Sequence, residues 1–132
     1  MDPLEFLEVA KGFSASSLER ERRTSVGRSY YAVFNHLRLR LEVLKPLPMN
    51  ADVHALVVKY LSNAPNRELN SVGQTLRDLR AARNTADYDL AAMVDDKQSS
   101  TSMLKADRAI KKSQGISEAA LRAAINVLPT YH

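Results

Sequence analysis

Apolar residues recur along this chain at steps of three and four. The clearest run is Val26, Tyr30, Val33, Phe34, Leu37, Leu41 and Leu44, which marks one face of a helix and not a strand. The helix that carries it is expected to begin after Ser14-Ala15-Ser16-Ser17, where Ser16 and Glu19 stand at capping-box spacing, and to run on towards Pro46. Ahead of it, Asp2 as N-cap and Pro3 just inside the start predict a short helix, whose stripe of Leu4, Leu7, Val9 and Ala10 reaches about Phe13.

The run Lys45-Pro46-Leu47-Pro48-Met49-Asn50 interrupts the pattern, after which Asn50 can cap a third helix bearing Val53, Leu56, Val57, Tyr60 and Leu61. That helix ends near Asn63-Ala64-Pro65-Asn66. A fourth carries Leu69, Val72, Leu76, Leu79 and Ala86, and Arg83 occupies the next apolar-phase position after Leu79. The polar stretch 95–100 is expected to be a loop. From about 101 to 128 alanine, leucine and isoleucine return at helical spacing, with Gly115 as a point where that helix can kink or split.

No segment alternates apolar and polar residues with the β-branched enrichment of a strand. The expected architecture is therefore all-α: a single domain over 1–132, an antiparallel bundle of four to five helices with a long second helix and a long last one. Overhanging ends of the long helices could serve a dimer. At 132 residues the chain can bury one real core. It has no cysteine, which excludes a disulfide framework, a thiol nucleophile and thiolate-bound metal, and suits a reducing cytoplasm. The acidic, interrupted start lacks the basic and apolar regions of a signal peptide, and no stretch is apolar for long enough to cross a membrane. A cytoplasmic protein with no membrane partner is expected.

The net charge of +4 comes mostly from arginine, twelve of nineteen basic residues, and tilts towards phosphate-bearing partners. The three histidines, His36, His54 and His132, do not pair at the i, i+4 spacing of a metal site, and the four glycines stand alone, without a phosphate loop. No metal or cofactor is expected. Two clusters remain. In Arg28-Ser29-Tyr30-Tyr31-Ala32-Val33-Phe34-Asn35-His36, Tyr30 and Phe34 belong to the apolar face, whereas Arg28 and Asn35 lie two turns apart along one side with Tyr31 near Arg28. In Arg80-Ala81-Ala82-Arg83-Asn84-Thr85-Ala86-Asp87-Tyr88-Asp89, an inward-facing guanidinium at Arg83 must find an anion. Asp87, one turn on, is the structural partner; the alternative is that Arg83, Asn84, Asp87 and Tyr88 line a groove for a phosphate or a partner's carboxylate.

Taken together, Arg28 to His36 and Arg83-Asn84-x-Ala86-Asp87-Tyr88 resemble the HEPN superfamily of small helical bundles found in prokaryotic toxin–antitoxin, CRISPR and phage-defence systems. The resemblance spans the two central helices and the helix order of nearly the whole chain. It implies a homodimer whose last motifs meet across the two-fold axis and, in catalytic members, RNA cleavage without a metal. Those members place a histidine after the arginine with four to six residues between the two. Here Arg83 matches the arginine and Asn84 its polar neighbour, but Tyr88, Asp89 and Leu90 fill the histidine's window. Neither tyrosine nor aspartate exchanges protons near neutral pH unperturbed. The resemblance then points to a domain that binds RNA, a nucleotide or a protein partner through Arg83, Asn84 and Asp87, with Arg28 and Arg80 adding charge and Tyr31 or Tyr88 stacking on a base. A nucleotidyltransferase partner would make the Tyr88 hydroxyl a modification site, although a lone tyrosine there is expected to bury against the bundle. The rival readings are a ribonuclease using His36 or Tyr88 as its acid–base group, with Arg83 on the phosphate, and a structural subunit of a larger complex.

Overall fold

Helix starts in this chain are written by side chains that accept the first free N–H groups. In the computed structural model, which describes residues 2–127, Asp2 accepts from the Leu4 N–H at 2.8 Å and opens α1, Pro3–Phe13. Asn66 does the same for α4, Arg67–Tyr88, and Ser117 for α6, Glu118–Asn126. The long α2, Glu19–Glu42, has Leu18 at its N-cap. Ser16 acts two residues earlier, accepting from the Leu18 N–H at 3.1 Å and donating to Glu21. Asn50 likewise acts one residue before the cap of α3, Asp52–Ser62, accepting from the Asp52 N–H.

The structure alters the expected layout in two places. The stretch 95–100 is not a loop: Asp95 and Gln98 form a reciprocal capping box, and α5 runs over Asp96–Gln114. Its polar residues mark a helix start, and Ser99, fully buried, donates to the Ser14 carbonyl beside α1. Secondly, the expected long last helix is divided. Gly115 ends α5, and Ser117 restarts the chain as α6 by accepting from the Ala120 N–H, so six helices stand among the described residues where four to five were expected. Residue 128, the expected end of the last helix, and His132 lie outside the described residues.

α2 is the central element, packed against α1, α4 and α5, while α3 lies mainly on α4. The run read from the sequence is the core face: Tyr30, Val33, Phe34, Leu37 and Leu41 are buried, with Leu69, Val72, Leu76 and Leu79 of α4 opposite. Gly73 lets α4 approach α3 closely, for a Cβ there would stand 3.0 Å from the Leu61 Cβ. Val26, Ala86 and Val94 form a separate, smaller cluster where the α4–α5 connection folds back onto α2.

Candidate functional site

Arginine was the residue that tilted the composition towards a phosphate partner, and the structure sorts the arginines into two groups. Three of those on α2 serve the backbone. The Arg23 guanidinium donates to the carbonyls of Ala86 at 2.8 Å, Asp89 at 3.1 Å and Ala92, while its Nε reaches Glu19 at 2.8 Å. Arg22 donates to the Val94 and Ser16 carbonyls at 2.7 and 2.9 Å. Arg40 donates to those of Ser113 and Ile116, at the C-terminal end of α5. Helix ends leave carbonyls without intrahelical partners, and cations there also meet the negative end of the helix dipole.

Arg83 is engaged differently. Its side chain is 19% exposed, and its Nε lies 3.0 Å from Asp87 Oδ2. The N–H does not point at that oxygen, so the pair is held by charge and the buried Nε donor has no hydrogen bond among the described residues. Nη1 donates to Asn84 Oδ1 at 3.1 Å. The guanidinium carbon sits 5.3 Å from the centre of the Tyr31 ring and 5.5 Å from that of Tyr88, within cation–π range of both. The structure thus brings Arg83, Asn84, Asp87, Tyr88 and Tyr31 together across α2 and α4. Tyr88 is 71% exposed, not buried against the bundle as expected, because α4 ends there, and its ring lies beside the Arg83 guanidinium. A cleft of about 210 Å³, lined by Arg23, Thr24, Gly27, Arg28, Tyr31 and Asp87, adjoins the cluster. Two larger clefts, of about 410 and 440 Å³, contain neither arginine nor histidine.

The other candidates divide. Arg80 is half-buried one turn before Arg83 and has neither hydrogen bond nor ion pair among the described residues, while its charge acts on Tyr30 and His54. Arg28 is exposed, stacked over Phe6 at 5.2 Å, and reaches the site only as a wall of the small cleft. The Asn35 side chain makes no hydrogen bond among the described residues. His36 faces α5: its Nε2 pairs with Ser113 Oγ at 3.0 Å. Burial pushes its pKa down, Arg40 adds to that, and Asp2 opposes it.

The histidine beside the arginines is His54, which spacing did not single out. It stacks on Phe34 with ring centres 4.2 Å apart, meets Tyr31 edge-on at 6.4 Å, and shares a hydrogen bond through Nδ1 with the Tyr30 hydroxyl. Burial lowers its pKa first, and the charges of Arg80, Arg83 and Arg38 lower it further. The Tyr30 phenol is pushed up to about 12, by burial above all, so it stays protonated. The one signal in the sequence was phase: His54 follows Val53 and precedes Val57 by three, placing it at the edge of the apolar face of α3.

Among the described residues no three histidine, cysteine, aspartate or glutamate side chains cluster to hold a metal ion, and no helix is long and apolar enough to cross a membrane. No family model matches the chain, and neither a curated protein nor a solved structure matches it.

Proposed function

We propose that this chain is a HEPN-like helical domain of a prokaryotic toxin–antitoxin or phage-defence system, and that it holds RNA on the face around Arg83. The supporting observation is the state of Arg83 itself. Its charge is only partly met by Asp87, and its guanidinium stands between Tyr31 and the exposed ring of Tyr88, beside an Arg80 with no acidic partner among the described residues. An arginine flanked by aromatic faces offers a phosphate contact and a stacking surface in one place, which suits single-stranded RNA better than a protein carboxylate. On this reading Asn84 and Asp87 hold the guanidinium in position. A homodimer and a nucleotidyltransferase partner belong to the same proposal, as does a free nucleotide in place of RNA.

The test is retention of a labelled single-stranded RNA by the purified protein and by Arg83→Ala. Loss of retention with an unchanged melting temperature supports the reading, and equal retention by both proteins refutes it.

A second reading, RNA cleavage, is favoured by one observation: an imidazole, His54, lies where the arginine charges converge, although α4 itself carries none. His36 is a poor candidate for that role because Ser113 engages it on the α5 side. Incubation of the same RNA in chelator separates the two readings. Intact RNA leaves a binding domain, whereas cleavage lost in both Arg83→Ala and His54→Gln makes it a ribonuclease.

A further inference from the structure

Two side-chain polar atoms among the described residues are buried without a hydrogen bond, and they are the Nε atoms of Arg38 and Arg83. A buried donor without an aligned acceptor is unfavourable, although the Arg83 Nε keeps the Asp87 carboxylate at 3.0 Å as a charge partner. Orphans of this kind are rare enough to need a reason, and a ligand is one. The two belong to different helices, yet both charges act on one side chain, His54 on α3. Their placement follows from helix geometry. Tyr30, Phe34 and Arg38 succeed one another at four-residue steps along α2, so they form one stripe. His54 lies on that stripe, hydrogen-bonded to Tyr30 and stacked on Phe34, with Arg38 the next position along. From α4, Arg83 reaches the same place over Tyr31, and Arg80 adds a third charge.

We propose that Arg38, Arg80, Arg83 and His54 form one seat for a phosphodiester group of RNA, and that His54 takes up a proton when the seat is filled. The inference rests on the reading that this face holds RNA. Donors arriving from three helices can approach an anion from several directions, which suits the several oxygens of a tetrahedral oxyanion. Around the imidazole stand Tyr30, Tyr31 and Arg38 from α2, the last paired with Glu42 at 3.3 Å, and Arg80 and Arg83 from α4, the latter paired with Asp87. Three guanidinium groups therefore face two carboxylates.

Burial first, and that excess of positive charge after it, lower the His54 pKa and favour the neutral ring. The Tyr30 hydroxyl, buried with His54 as its hydrogen-bond partner among the described residues, donates to Nδ1 and leaves the hydrogen of the neutral ring on Nε2. A phosphodiester anion brings a negative charge to the same place and reverses the local balance. The added proton goes to Nδ1, the Tyr30 oxygen then accepts from it, and Nε2–H remains a donor for the phosphate. By linkage, binding strengthens as pH falls through the window between the lowered pKa of the empty seat and the higher value of the filled one. One proton changes affinity by at most about tenfold per pH unit there.

The experiment uses a single-stranded RNA octamer with hydroxyl ends and 2′-O-methyl groups, which can neither titrate near neutral pH nor be cleaved by 2′-hydroxyl attack. Binding is followed by fluorescence anisotropy across pH, and proton uptake by calorimetry in buffers of different ionisation heat. The wild type is expected to tighten as pH falls and to take up close to one proton. His54→Gln is expected to bind at the wild type's high-pH level with neither effect, while His36→Gln retains both. Arg38→Gln is expected to bind roughly tenfold more weakly, with the salt dependence reduced by about 0.7 in log–log slope, one single-strand phosphate contact. All variants are checked for unchanged helicity and melting. If the wild type binds RNA through Arg83 but His54→Gln and Arg38→Gln behave like it, the seat is wrong and the RNA-binding face stands. If the wild type binds no RNA at all, both fail.

Discussion

Arg23 of α2 reaches α4 and Arg83 of α4 reaches α2, and they differ in what their donors do. Arg23 gives hydrogen bonds to three carbonyls at the end of α4 and in the chain that follows it, and to Glu19. Arg83 gives one, to the neighbouring Asn84, and its buried Nε meets Asp87 at 3.0 Å by charge without an aligned hydrogen bond. Both count equally in the net charge. Donor accounting separates an arginine that completes the fold from one whose geometry is completed by something else. The Arg23 clamp also bears on Arg83, because it pins the last turn of α4, which carries Asp87 and Tyr88, two of the groups that Arg83 meets.

The contrast is easiest to break by truncating its two members. Arg23→Ala leaves the Ala86, Asp89 and Ala92 carbonyls without their donor and is expected to cost roughly 2–4 kcal/mol, the largest loss of the series, since charged hydrogen bonds at part-buried sites are the strong ones. Urea unfolding measures it. Arg40→Ala removes the donor from two carbonyls, those of Ser113 and Ile116, and is expected to cost about 1–2 kcal/mol. Arg83→Ala loses an i, i+4 pair whose aspartate is 40% exposed and two ring contacts, so its stability should stay within about 0.5 kcal/mol of wild type. Its RNA affinity should fall at least about tenfold, as expected for loss of one arginine–phosphate contact. An Arg83→Ala protein as unstable as Arg23→Ala would erase the distinction and make Arg83 a structural ion pair.

The same accounting shows what could be read from the sequence. The α2 seam was legible because seven apolar residues at steps of three and four admit one solution, and all but Leu44 are buried. The cluster of Arg83, Asn84, Asp87 and Tyr88 was legible for the same reason: it lies within two turns of one helix. Period alone misplaced the start of α5, because the polar residues 95–100 carry a capping box that resembles a loop until the backbone is seen. It also left open whether Gly115 bends the helix or divides it. His54 and Arg38 were illegible as site residues. Each is unremarkable within its own helix, and what joins them is the packing of α3 against the aromatic stripe of α2, a long-range fact that no spacing encodes.

The smallest expected effect concerns pH, and it sharpens the comparison at the level of two histidines. His36 and His54 both have lowered pKa values in the folded chain, each with burial as the main cause. A histidine held neutral by folding binds fewer protons than in the unfolded chain between the lowered pKa and the ordinary value of about 6.5, so stability rises with pH across that window. Above about pH 6.5 both contributions are complete; as pH falls towards the lowered values they are lost. Without RNA, replacing either histidine with glutamine should therefore flatten the stability profile below about pH 6.5, as followed by urea unfolding at a series of pH values. With RNA the two should part. The anion relieves the guanidinium charges around His54 but touches nothing near His36, whose neighbours are Ser113, Arg40 and Asp2. RNA should then abolish the His54 share of the acid-side loss and leave the His36 share intact. Equal behaviour of the two histidines in RNA would mean that the phosphate does not sit among Arg38, Arg80 and Arg83.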